Sequence, residues 1–208
     1  MIPKDLDAFM PAIRPYAPGC ANVTAFAAIR LAAIEFCERT KLWRWEDDFD
    51  ILANDCEQIT TPYGSVLHEI DKVLFDGNEL ERATPSWLDA VEPGWRTGSL
   101  TGIPNFVTQT EMNTIRLVPG QDGHVNIYVW LKPSADAKQL PDFLSDQYRE
   151  VIAAGALARL LAQPNQPYTN MTNSSGYAVL FEAKITDLLG MAAKGQQRAP
   201  RRTRASIF

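Results

Sequence analysis

The spacing of apolar residues changes period twice along this chain, and no fold built from one kind of secondary structure accommodates that. From Asn22 to Lys41 they recur at helical intervals: Val23, Phe26, Ala27, Ile29, Ile34, Phe36 and Cys37 oppose Arg30, Glu35, Glu38 and Arg39. At Trp43 the period drops to two. Trp43, Trp45, Asp47, Phe49 and Ile51 alternate with Arg44, Glu46, Asp48 and Asp50, which is the pattern of a strand with one acidic interruption. The stretch up to Leu131 stays strand-like, ending in the strict alternation of Val125, Ile127, Val129 and Leu131. After Lys132-Pro133-Ser134 the helical period returns, first from Phe143 to Gln163 and again through Tyr177, Phe181, Ile185 and Leu188.

Punctuation between these stretches sharpens the reading. Pro15 and Pro18-Gly19 interrupt the chain before the first helix, and Asn22 is placed to cap it. Asp76-Gly77 between Ile70–Phe75 and Asn78–Leu80 predicts a two-residue hairpin. Thr84-Pro85 reads as an N-cap with proline at the first helical position, opening a short helix to Val91. Phe106, Thr108 and Thr114–Val118 are further strand signals, and Gln121-Asp122-Gly123 marks a turn. Because the strands follow one another in sequence, antiparallel pairing through hairpins is the economical topology. Pro141, followed by Asp142 and Asp146, suits a helix start, and Pro164 and Pro167 end that helix. The last helix is expected from near Asn170 to Gly195, although Thr172–Gly176 has poor helical propensity.

The fold class that follows is α+β, in which N- and C-terminal helices form a helical body around an inserted antiparallel β-rich segment. Its expected divisions are 1–42 for the N-terminal helices, 43–133 for the β-rich insertion and 134–194 for the C-terminal helices. Residues 195–208 are expected to form a flexible, disordered C-terminal tail, being poor in apolar residues and rich in arginine, glutamine and proline. Charge divides the same way. Lys194, Arg198, Arg201, Arg202 and Arg204 have no acidic neighbour, leaving 15 basic against 25 acidic residues in the rest of the chain. Such a body repels nucleic acid while its tail attracts acidic partners. The longest nearly apolar run, Val151–Ala162, falls short of the roughly 20 residues a membrane span needs. Met1–Asp7 has neither the basic start nor the apolar core of a signal peptide, so synthesis in a cytoplasm is expected.

Residue types that carry chemistry are present but not grouped. Cys20, Cys37 and Cys56 are an odd, widely spaced set that suits neither disulfides nor a zinc site. His68 and His124 each lack a second ligand at metal spacing. Nucleophile-elbow, zincin, CxxC and Walker signatures do not occur, and Gly94–Gly102 lacks the lysine of a phosphate loop. Glu46, Asp48 and Asp50 could clamp magnesium in a two-metal nuclease. With no companion lysine, histidine or distant DxD motif to support catalysis, they read more simply as an acidic surface or channel face. The expectation is a protein without a chemical step, cofactor or metal. The ending Ala205-Ser206-Ile207-Phe208 places two large apolar side chains behind the arginines, in the manner of a docking peptide.

Three stretches carry a family likeness. They are Phe36-Cys37-Glu38-Arg39-Thr40-Lys41-Leu42-Trp43-Arg44-Trp45, Val73-Leu74-Phe75-Asp76-Gly77-Asn78-Glu79-Leu80, and Leu140-Pro141-Asp142-Phe143-Leu144 through Tyr148 to Gly155–Leu161. Together they resemble the head-to-tail adaptor (neck) proteins of short-tailed bacteriophages, the tail tubular protein A-like family. The resemblance covers about residues 20–208, and its motifs are structural. It implies a homo-oligomeric ring, commonly of twelve copies, below the portal protein in the virion neck. The ring would extend the DNA channel without binding DNA specifically and would present a platform to the tail nozzle. It would give Arg198, Arg201, Arg202, Arg204, Ile207 and Phe208 a partner in clefts between portal subunits. The rival reading is a nucleic-acid-binding accessory factor that uses the arginine tail, against which the acidic body argues.

Overall fold

The computed structural model describes residues 2–189. Its strands are β1 (Pro3–Asp5), β2 (Arg44–Ile51), β3 (Glu57–Gln58), β4 (Ser65–Phe75), β5 (Asn78–Glu79), β6 (Glu81–Arg82), β7 (Phe106–Thr108), β8 (Thr114–Val118), β9 (Gly123–Pro133) and β10 (Gln139–Pro141). Its helices are α1 (Met10–Ile13), α2 (Asn22–Thr40), α3 (Pro85–Val91), α4 (Asp142–Gln147), α5 (Arg149–Leu161) and α6 (Met171–Leu188), with single 3-10 turns at Leu6–Phe9 and Trp95–Thr97. The fold is α+β. The chain forms two compact units: residues up to Trp43 together with those from Lys132 onward, and Arg44–Leu131 between them.

In the helical unit, α5 is enclosed on most sides. It buries Ile152, Ala153, Ala154, Gly155, Ala156, Leu157, Leu160 and Leu161, which is why that stretch has almost no polar face. Both α2 and α6 pack on it, and both come close at Gly155. A methyl group added there would lie 2.9 Å from Phe181 on α6 and 3.0 Å from Ala32 on α2. Charges fix the arrangement at its edge. Arg159 of α5 pairs with Glu35 of α2, while Arg39 of α2 makes a two-pronged contact with Glu182 of α6, at 2.6 and 2.7 Å. A small β1–β10 ribbon, with Pro3 opposite Pro141, ties the first residues to the start of α4.

Three expectations need correction in this unit. Asn22 is the first helical residue, the cap is Ala21, and the Asn22 side chain accepts from Arg14 instead. The face that α2 buries is made largely of alanines (Ala25, Ala28, Ala32 and Ala33, with Ile29, Phe36 and Cys37), whereas Val23 is 81% exposed. Small side chains let α5 come close, so the alanine face wins over the bulkier one. The helix expected from Phe143 to Gln163 is two helices, broken at Tyr148 where the backbone leaves helical geometry (φ −123°, ψ 14°). The Tyr148 ring packs against Phe36 and Phe143, with centroids 5.1 and 6.3 Å apart. The last helix begins where expected, with α6 opening directly after Asn170 in the polar stretch. Asn170 caps it by accepting from the Asn173 amide at 3.0 Å, and Ser174 donates to the Ala158 carbonyl at 2.7 Å. Local hydrogen bonds there offset poor propensity.

The β-rich unit holds two four-stranded sheets, ordered β2-β9-β4-β5 and β3-β8-β7-β6. In β9, Val125, Ile127, Val129 and Leu131 are all fully buried, as their alternation requires. The Asp76-Gly77 turn joins β4 to β5 with both residues at positive φ, 46° and 82°. Thr84 caps α3 by accepting from the Trp87 amide. Pairing of neighbours by hairpins, however, describes only part of the unit. β2 is antiparallel to β9, pairing Arg44 with Trp130 and Ile51 with Gly123, while β6 and β7 are parallel. The Gln121-Asp122-Gly123 turn therefore leads from one sheet to the other, and the α3 segment supplies the crossover that a parallel pair needs.

Candidate functional site

The acidic cluster follows directly from strand geometry. Alternation along β2 leaves Glu46, Asp48 and Asp50 exposed and turns Asp47 the other way, where its carboxylate accepts from the Thr60 amide at 2.7 Å. On β9 the residues opposite the exposed three are Tyr128, Asn126 and His124. His124 is thus shared: its Nδ1 lies 2.9 Å from Asp50 and its Nε2 4.0 Å from Asp48. Glu46 takes the hydrogen bond of the Tyr128 hydroxyl, which holds that phenol above its ordinary pKa. At the other end of the strand Arg44 lies over the Trp130 ring, 4.5 Å from its centroid, and pairs with Asp71.

This surface is open. Asp48 and Asp50 are 70% and 89% exposed, so water already satisfies most of their charge and their pairing with His124 adds little. Among the described residues no group of three or more histidine, cysteine or acidic side chains is arranged to hold a metal ion. His68 lies on β4 in partly buried surroundings, away from any such grouping. Cys37 is fully buried, and loss of solvent pushes its thiol far above the usual range, which makes it an apolar packing residue. Cys56 is exposed beside the Thr110 hydroxyl, and Cys20 is partly exposed.

A second surface lies on the helical unit and escaped sequence reasoning. Only Ser174, Phe181 and Ile185 of the 18 residues of α6 are buried. Met171 is 61%, Val179 69% and Leu180 45% exposed. Beside them Tyr16 and Tyr177 meet edge to face, with centroids 5.7 Å apart, along a shallow groove of about 290 Å³ that includes Thr172, Gly176 and Leu180. On α2, Val23, Ala27 and Leu31 also face outward. Large apolar side chains left open on two helices of one unit are suited to contact with another chain. In the sequence the only trace of this was an apolar count on α2 and α6 larger than one buried face uses.

The docking residues expected in the tail, Arg198, Arg201, Arg202, Arg204, Ile207 and Phe208, lie outside the described residues. No helix among the described residues is long and apolar enough to cross a membrane. Comparison with models of known protein families and with curated proteins found no match.

Proposed function

We propose that this chain is a head-to-tail adaptor subunit of a short-tailed bacteriophage, acting by assembly and without a chemical step. Copies would form a ring between portal and tail nozzle, and DNA would pass through it. The observation that carries this reading is the outward apolar surface of α2 and α6, with Val23 81% and Val179 69% exposed on a unit whose core is otherwise closed. A subunit that works alone gains nothing from such a surface, while a ring subunit buries it against its neighbours. The exposed Glu46, Asp48 and Asp50 agree with a conduit, because carboxylates repel the phosphates of passing DNA.

The same surface argues against the rival reading. A factor that held nucleic acid through the arginine tail would do so against the repulsion of a body with 15 basic and 25 acidic residues. The reading is tested by mixing the purified chain with the portal protein of the same genome and sedimenting the mixture. Co-sedimentation in fixed stoichiometry is the expected result. Independent sedimentation of the two proteins at micromolar concentration is the result that rejects it.

A further inference from the structure

Thr108 of β7 and Arg116 of β8 stand directly opposite each other, so their side chains leave the same face of the sheet, about 5 Å apart at Cβ. One pair further along that face are Phe106 and Val118, and Leu88 of α3 and Trp95 of the 3-10 turn close over them. Thr108 is only 3% exposed, and its hydroxyl has no hydrogen-bond partner among the described residues. The Nε–H of Arg116 is buried and unpartnered in the same way. A buried donor without an acceptor costs stability. Two of them, opposite each other on one strand pair, ask for a single acceptor that both can reach.

Charge decides what kind of acceptor. Arg116 donates through Nη2 to the Trp95 and Arg96 carbonyls, each at 3.2 Å, and its guanidinium lies 5.5 Å from the centroid of the Trp95 ring. These contacts hold the group in place and leave its charge unmatched. Asp89 is already engaged by Arg96, at 2.8 and 2.9 Å, and by the Trp95 indole. Among the described residues no carboxylate pairs with Arg116. Arg96, Arg116 and Asp89 together therefore leave one positive charge around Trp95. A cation partly withdrawn from water favours an anion as its partner.

We infer that the Thr108 hydroxyl and the Arg116 Nε–H bind a monatomic anion, chloride in a cell, beneath the Trp95 turn. Both donors lie below the surface. That suits a small ion, and neither the phosphate of a nucleic acid nor the carboxylate of a partner chain reaches them. Arg116 already ties β8 to the carbonyls of the turn, so the ion completes a link between the sheet and the segment that crosses from β6 to β7. Stability of the β-rich unit then depends on chloride. The inference does not rest on the adaptor reading.

Urea unfolding of the full chain, in chloride against gluconate at equal ionic strength, tests this. Two hydrogen bonds, one of them from a charged donor, support a dissociation constant on the order of 10 mM, so about 0.1 M chloride should raise the folding equilibrium constant about tenfold. Thr108→Val keeps the shape of the side chain and removes the hydroxyl. In gluconate it should be at least as stable as the parent, since it deletes a buried donor that has nothing to bond, and in chloride it should lose most of the gain. Thr108→Ser should retain the gain. In crystals of the full chain soaked in bromide, anomalous scattering should place the ion between Thr108 Oγ1 and Arg116 Nε. Equal unfolding of the parent in the two salts overturns the inference. So does a chloride effect undiminished in Thr108→Val, which is a general effect of salt. Should that variant fail to fold, the crystals decide, and a water at the position expected for bromide overturns the inference. A chain that passes these tests and ignores the portal rejects the adaptor reading alone.

Discussion

Asp47 and Asp48 are adjacent in the chain and have opposite surroundings. Asp47 is half-buried and holds the Thr60 amide, whereas Asp48 is open to water with a partly exposed histidine nearby. Replacing Glu46, Asp48 and Asp50 together with asparagine should therefore change stability by no more than about 0.5 kcal/mol at each position. Asp47→Ala, which removes the acceptor of a backbone hydrogen bond, should by itself cost about 1 kcal/mol. Urea melts of the two variants check the contrast. A collapse of the triple variant, or a magnesium-dependent nuclease activity that disappears with it, would mean that the exposed carboxylates hold something together. At this scale the sequence was informative, because period two alone separates Asp47 from its neighbours. It was silent on His124, which reaches Asp50 only through a strand pairing 74 residues away in sequence.

Elements were legible where a local signal forces the backbone. Asp76-Gly77 and Thr84-Pro85 are such signals, and the hairpin and α3 stand where they point. Pairing of β2 with β9, the β1–β10 ribbon and the break at Tyr148 have no local signal; packing between distant parts of the chain decides them. The same limit concealed the groove. Apolar residues on α2 and α6 exceed what one buried face uses, but which of them remain outside depends on how closely Gly155 admits its two neighbours. Gly155→Ala should cost about 1–3 kcal/mol, since Phe181 and Ala32 must both give way, and thermal unfolding reads it directly. Docking of α6 should also depend on pH. The hydrogen bond from Arg39 holds the Glu182 carboxyl below its ordinary pKa, so folding favours its ionised form. That contribution is present above the ordinary glutamate range and is lost as pH falls through the lowered value. Unfolding followed between neutral and acid pH should show a decline in α6 stability that Glu182→Gln removes.

At the scale of the whole molecule, charge divides the chain into an acidic body and a basic C-terminal segment. In the adaptor reading proposed above, the body would make lateral contacts and keep DNA from adhering, and the segment would seek the portal. Deleting Arg201–Phe208 should leave the described fold and its melting temperature unchanged, while portal binding falls at least tenfold. Replacing Ile207 and Phe208 with serine should weaken binding and keep its salt dependence; changing the four arginines to glutamine should weaken it and flatten that dependence. Undiminished portal binding by the truncated chain would move docking to the helical unit.

Electron microscopy of the chain incubated with its portal tests the central claim most directly. The account predicts a second ring, about twelvefold by the family resemblance, stacked coaxially on the portal and continuing its channel. Bare portals at saturating concentrations of the chain, or copies bound at scattered positions without forming a ring, would contradict it.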